Sequence, residues 1–119
     1  MAYDHITWAE EDGVAVLTIN RPERLNSLNT DVIREMIDAV DTIRDGVSSA
    51  RCLVLTGAGR GFSSGADLSG GGAGDGGGRS SGPVDAGKVL ETHFNVLLER
   101  LFALPVPFVT AVNGPAAGA

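Results

Sequence analysis

An α/β fold is what this 119-residue sequence predicts, and three observations carry it. Strand-like and helix-like segments alternate along the chain. A strand, a helix and a second strand follow one another between Val14 and Thr56. Two strands also run straight into loops of small residues, GRGFSSGADLSG and NGPAAGA. A strand–helix–strand series of this kind calls for a right-handed parallel crossover.

The first elements are short strands, ITWAE (Ile6 to Glu10) and VAVLTIN (Val14 to Asn20), joined by the turn-forming EDG as a hairpin. In the second strand, Ala15, Leu17 and Ile19 alternate with Val16, Thr18 and Asn20. Both sets are largely apolar, which predicts cover on both faces. RPERLNSLNT is a loop, since Pro22 cannot continue the ladder. Asn29 or Thr30 then offers an N-cap and Asp31 a favourable first-turn charge. Val32, Ile33, Met36, Ile37, Val40 and Ile43 form one apolar stripe on a helix from Asp31 to about Arg44, and Gly46 ends it.

RCLVLT, Arg51 to Thr56, reads as a buried strand that includes Cys52. The run SGGGAGDGGGRSSG, residues 69–82, has eight glycines in fourteen positions. Such a run has too few side chains to offset its ordering entropy and is expected to be a flexible loop, a lid or a plain insertion. A long helix from about Asp85 to Leu104 follows, with Val89, Leu90, Phe94, Leu97, Leu98, Leu101 and Phe102 expected on its buried side. Phe108 to Val112 is a last strand and Asn113-Gly114 a turn.

Composition narrows the function. With 43% apolar and 20% charged residues, the chain has the make-up of a folded protein. No apolar run approaches a membrane span, and the polar, acidic N-terminus is not a signal peptide. A net charge of −6 with scattered Lys and Arg argues against nucleic acid as a partner. The single cysteine fits a reducing, cytoplasmic setting. Two distant histidines, His5 and His93, and no C-x-x-C pair leave no metal site.

The stretch GRGFSSGADLSG admits several chemistries. GFSSG fits a nucleophile elbow at Ser63, and Asp67, Asp75 or Asp85 followed by His93 gives the hydrolase order of partners. Against it, no helix starts directly after the serine, and His93 sits in mid-helix. A P-loop or dinucleotide loop fails on spacing, because GAGRGF is G-x-G-x-G and no Gly-Lys-Ser/Thr follows. A third reading is an oxyanion hole, in which Gly65 and Ala66 leave a main-chain N–H bare, with NGPAAGA supplying a second donor. The plainer alternative is two tight turns that need glycine for steric reasons alone.

VAVLTINRPERLNSLN, LVLTGAGRGFSSGADL and PVPFVTAVNGPAAGA, in this order and with helices between them, resemble the enoyl-CoA hydratase/isomerase (crotonase) family over nearly the whole chain. The resemblance implies a crotonase-like spiral of ββα units, incomplete here, with residues 1–119 as the N-terminal part of the core domain. It implies an enzyme acting on an acyl-CoA or enoyl-CoA thioester, with no cofactor beyond the coenzyme A of the substrate. The N–H of Ala66 and that of Ala119, six positions after Asn113, would hold the thioester oxygen as an enolate forms. Arg24, Leu25, Ser27, Ser64, Asp67 and Leu68 would line the coenzyme A site. Asn26 and Asn113 would be structural turn residues and Ser63 a packing residue. The family's acid and base glutamates come after NGPAAGA, so proton transfer is not expected from residues 1–119. The family also implies a homotrimer or hexamer. The alternative is a truncated, non-catalytic chain that binds coenzyme A or joins an oligomer, with an under-covered strand at Phe108 to Val112.

Overall fold

The structure, a computed structural model, describes residues 2–67 and 83–119. The glycine-rich run 69–82, with Asp75, and the candidate site residue Leu68 lie outside the described residues.

Strands β1 (Ile6–Glu11) and β2 (Val14–Ile19) pair antiparallel, Ile6 opposite Ile19 and Glu11 opposite Val14. Asp12 and Gly13 join them with φ of 54° and 82°. Two positive φ values in a two-residue loop match the right-handed twist of a hairpin. Helix α1 (Thr30–Arg44) begins at Asn29, whose side chain accepts a 2.9 Å hydrogen bond from the N–H of Val32. Val32, Ile33, Met36, Ala39, Val40 and Ile43 are buried on its inner side. Gly46, at φ 79°, follows the last turn as the sequence predicts.

Strand β3 (Cys52–Gly57) lies parallel to β2, with Ala15 opposite Leu53 and Leu17 opposite Leu55. Strand β4 (Phe108–Thr110) lies parallel to β3, giving the sheet order β1-β2-β3-β4. Ala15, Leu17, Ile19 and Leu53 turn one face of this sheet toward the helices and are almost fully buried. On the opposite face, Val16 and Val54 are only half-buried and Val109 is exposed. The expectation of cover on both faces of β2 therefore holds for one face among the described residues. Cys52 belongs to this outer set, so it is half-exposed rather than buried as expected. Period-2 alternation along β3 sends it to the side away from Leu53.

Helix α2 (Pro83–Phe102) packs on α1 and starts before the expected position. Leu90, Leu97 and Leu101 are buried and Phe94 is half-buried. Val89, Leu98 and Phe102, expected inside, are exposed by 49%, 44% and 84%. At about 100° per residue, positions 90, 94, 97 and 101 fall on one narrow arc and the other three lie beside it. One helix neighbour needs only that arc, which is why the broader apolar band overreaches. The Asp41 carboxylate on α1 pairs with Arg100 of α2 and with Arg44 one turn on. No helix among the described residues is long and apolar enough to cross a membrane.

The N-terminal segment is fastened to α1. The Glu35 carboxylate accepts from the backbone N–H groups of Asp4 and His5 at 3.1 and 2.8 Å, and the Tyr3 hydroxyl donates to Asp38 at 2.7 Å. Burial first, and then the bond and negative charge of Asp38, push the Tyr3 hydroxyl above the ordinary tyrosine pKa. An unfolded tyrosine ionises at about pH 10, so this contribution to stability is complete below that pH. It is lost as pH rises toward the higher value of the folded state. Tyr3 is the single tyrosine of the chain, so ultraviolet titration reads it directly. The midpoint should lie above that of the urea-unfolded chain. Coincident midpoints would show that the Asp38 contact does not persist in solution.

Candidate active site

Because β2, β3 and β4 are mutually parallel, their C-terminal ends lie at one edge of the sheet. In α/β sheets, ligands bind outside that edge. Three loops leave from it, residues 20–29, 58–67 and 111–119, and all three motifs singled out in the sequence fall on them.

The loops are tied by side-chain amides. Asn26 is 1% exposed; its Oδ1 accepts from the N–H of Arg21 at 2.8 Å. Its Nδ2 donates to the carbonyls of Ala58 and Gly61 at 2.8 and 3.0 Å. Asn113 works from the other side: Nδ2 donates to the carbonyls of Gly59 and Gly61 at 3.1 Å each, and Oδ1 accepts from the N–H of Gly57 at 3.1 Å. Both asparagines thus meet at the Gly61 carbonyl, as expected of structural turn residues. Pro22–Arg24 forms a single 3-10 turn closed by Leu25 at φ 56°, which places Asn26 for its bonds.

Main-chain bonds complete the assembly. Phe62 N–H donates to Pro115 O and Ala117 N–H to Ser63 O, each at 3.0 Å. Ser64 N–H donates to Leu25 O at 3.0 Å; Leu28 N–H donates to Gly65 O, and Asp67 N–H to Leu28 O, both at 2.8 Å. There is no room for side chains where these backbones meet. A Cβ on Gly114 would overlap the Arg60 carbonyl oxygen, and one on Gly57 would lie 2.5 Å from Phe62 O. Gly65 has φ 94°, and a Cβ there would stand 2.7 Å from Ala117 O and 3.3 Å from the Cα of Gly118. Gly118 itself has φ 71°.

Gly65 and Gly118 are therefore in contact, and each is followed by an exposed alanine, Ala66 and Ala119. Both peptide bonds flanking Ala66 are engaged, through Gly65 O and Asp67 N–H. The N–H of Ala66 has no acceptor among the described residues, and neither does that of Ala119.

Ser63 is 8% exposed; its hydroxyl donates to Asn26 O at 2.8 Å and accepts from Gly65 N–H at 3.1 Å. Its one proton is committed to a main-chain carbonyl. His93 Nδ1 lies 2.8 Å from the Val89 carbonyl of its own helix, with no bond to Ser63. The elbow reading lacks both its nucleophile and its base, and Ser63 packs the loop.

Of the candidate coenzyme A residues, Arg24, Leu25 and Ser64 are exposed. Ser27 and Asp67 point inward. Asp67 pairs with the buried Arg21 at 3.4 Å, while Arg21 also donates to Ser27 O at 2.6 Å and Ser27 Oγ to Asp67 at 3.3 Å. Arg21 is the residue that the sequence does not single out. Its signal is faint, an arginine between a strand and a proline, and its partner lies 46 positions away. Beneath the loops a cavity of about 180 Å³ reaches from Ala119 down to Met36 on α1.

The profile of the enoyl-CoA hydratase/isomerase family matches residues 9–119. A 1,2-epoxyphenylacetyl-CoA isomerase of Escherichia coli (strain K12) is 46% identical over 92% of this chain and 40% of its own length. A protein of Rhodobacter capsulatus described as a probable enoyl-CoA hydratase is 40% identical over 100% of this chain and 42% of its own. The crystal structure of an enoyl-CoA hydratase/isomerase from Xanthobacter autotrophicus Py2 superposes with a TM-score of 0.80 at 33% identity, covering 96% of this chain and 40% of that one. The chain thus spans about two fifths of the length of the relatives that it matches.

If Ser63 is a loop-packing residue, Ser63→Ala leaves the Gly65 N–H without its acceptor. The expected cost is about 1–3 kcal/mol of stability, read by urea unfolding. A fluorophosphonate probe should leave the wild-type chain unlabelled, and labelling at Ser63 would restore the nucleophile.

Proposed function

The chain belongs to the enoyl-CoA hydratase/isomerase family and has part of its crotonase α/β fold, and from that premise we propose that its three converging loops bind an acyl-CoA thioester and stabilise the enolate formed from it. The main-chain N–H groups of Ala66 and Ala119 are the two donors. One observation carries this reading: Gly65 and Gly118, both at positive φ, touch, and each precedes a donor without an internal acceptor. A peptide N–H buried without a partner is rare, and one held bare at the surface by bonded neighbours is available to a ligand oxygen.

Charge is what such a pair acts on. The oxygen of a thioester is a weak acceptor, whereas that of its enolate carries most of a delocalised negative charge. Fixed donors therefore favour the charged form more than the neutral one, and the difference lowers the barrier to removing a proton beside the carbonyl. Since the donors are main-chain groups, they need no reorientation when charge develops. Their alanine side chains only have to be small.

Coenzyme A lies across the exposed rim formed by Arg24, Leu25 and Ser64. The Arg24 guanidinium offers bidentate bonds to a phosphate, while the Leu25 side chain, 67% exposed, gives the nucleotide an apolar contact. Ser27 and Asp67 act indirectly: with Arg21 they fix the loop that presents Ala66. This machinery serves enolate formation, a step shared by hydration and double-bond isomerisation of CoA thioesters.

Acetoacetyl-CoA ionises to an enolate that absorbs in the ultraviolet, so ultraviolet difference spectroscopy reads the donors without any need for turnover. The chain should bind the enolate and lower the apparent pKa of the ligand. Ala66→Pro, which deletes one N–H, should weaken enolate binding about a hundredfold, in line with the loss of an oxyanion donor. Equal enolate binding by both proteins, with matched thermal melts, would rule out Ala66 as a donor.

A further inference from the structure

The N–H of Ala66 takes its direction from Leu28. The two residues form an isolated parallel bridge, in which Leu28 gives its N–H to Gly65 O and accepts that of Asp67, both at 2.8 Å. In a trans peptide the Ala66 N–H points opposite to Gly65 O, so the bond from Leu28 sets its aim. One guanidinium closes this bridge at both ends. Arg21 donates to Ser27 O at 2.6 Å, just before Leu28, and to the Asp67 carboxylate at 3.4 Å, just after Ala66. Ser27 Oγ completes the triangle, donating to Asp67 at 3.3 Å.

Arg21 is 7% exposed, so its charge is not offered to a ligand phosphate. A buried ion pair adds little stability over apolar packing of the same volume. What this side chain supplies is geometry, a planar fork with separate nitrogens on two chain segments. We infer that Arg21 is a positioning residue of the oxyanion site: it ties Ser27 to Asp67, and the Leu28–Ala66 bridge then holds the Ala66 N–H toward the enolate oxygen. This rests on the reading of Ala66 as a donor given above. The coenzyme A rim is held by other means. The N–H groups of Arg24 and Asn26 donate to the main-chain oxygen of Arg21 at 2.9 and 2.8 Å, and Arg21 N–H donates to Asn26 Oδ1 at 2.8 Å. None of those bonds uses the guanidinium, so changing the side chain separates rim from donor.

Arg21→Lys keeps a cation opposite Asp67 and strands no charge, but replaces the fork by a single nitrogen. In the full chain, the apparent pKa of bound acetoacetyl-CoA should rise by about one unit, a tenfold loss of enolate preference, since misplacing a donor costs less than deleting it. Affinity for free CoA, by isothermal titration, should stay within about twofold, the scatter between uncoupled sites. Ser27→Ala, which keeps both charges, should shift the enolate pKa the same way by a smaller amount. In an Ala66→Pro background Arg21→Lys should cost nothing more, because the group it positions is gone. An unchanged enolate pKa in Arg21→Lys or in Ser27→Ala, an equal loss of free CoA affinity in Arg21→Lys, or additive losses with Ala66→Pro would overturn the positioning role and leave the oxyanion reading in place. Wild-type enolate binding by Ala66→Pro would overturn both.

Discussion

The site depends on a requirement of the backbone: peptide groups beyond the ends of three parallel strands must find partners where no fourth strand supplies them. Here the partners are two asparagine amides and a serine hydroxyl. Asn26 and Asn113 reach the Gly61 carbonyl from opposite sides, and Ser63 bridges Asn26 O and Gly65 N–H. An asparagine side chain carries the same donor and acceptor as a peptide group, so it can stand in for a missing stretch of strand. Once those bonds are made, the loops lie backbone against backbone, and glycine at 57, 65 and 114 follows from the lack of space rather than from any wish for flexibility.

Local patterns in the sequence were a good guide where the physics is local. The hairpin follows from its turn and flanking strands, and α1 from its cap, its stripe and its terminal glycine. Each is decided by residues within four positions of one another. The motif loops were also legible, including the inert role of Ser63, because an elbow needs a helix start that the glycine run denies. What was not legible depends on partners. Among the described residues α2 packs chiefly on α1, which covers a narrow arc, so Val89, Leu98 and Phe102 look identical in sequence to their buried neighbours yet stay exposed. Cys52 is half-exposed because, among the described residues, the helices cover the other side of the sheet. Arg21 acquires its meaning from Asp67, and no periodicity links the two.

The same division separates scaffold from site. α1, α2 and the inner sheet face bury apolar side chains, and the Asp41 carboxylate of α1 adds an ion pair to Arg100 of α2. The loop edge buries polar groups instead: Arg21, Asn26, Ser27, Ser63 and Asp67 are all inaccessible or nearly so. Removing one member of a buried charged pair strands the other, at a typical cost of about 3–5 kcal/mol. Such a network adds little net stability compared with an apolar core, but it admits few alternative arrangements. That suits a region where main-chain N–H groups must be held in place without side chains to steer them.

The contact between Gly65 and Gly118 has an evolutionary corollary. On the proposed reading, the groups that touch substrate are peptide amides, which every residue except proline supplies. Random substitution would therefore be tolerated best at the two working positions, limited only by crowding of the ligand. It would be tolerated worst at their silent neighbours: both hold positive φ, and at Gly65 an added methyl group would also strike the Ala117 carbonyl. Drift in such a protein can rewrite the letters of the active centre while its chemistry persists, and the lineage would be recognised by its glycines rather than by any reactive side chain.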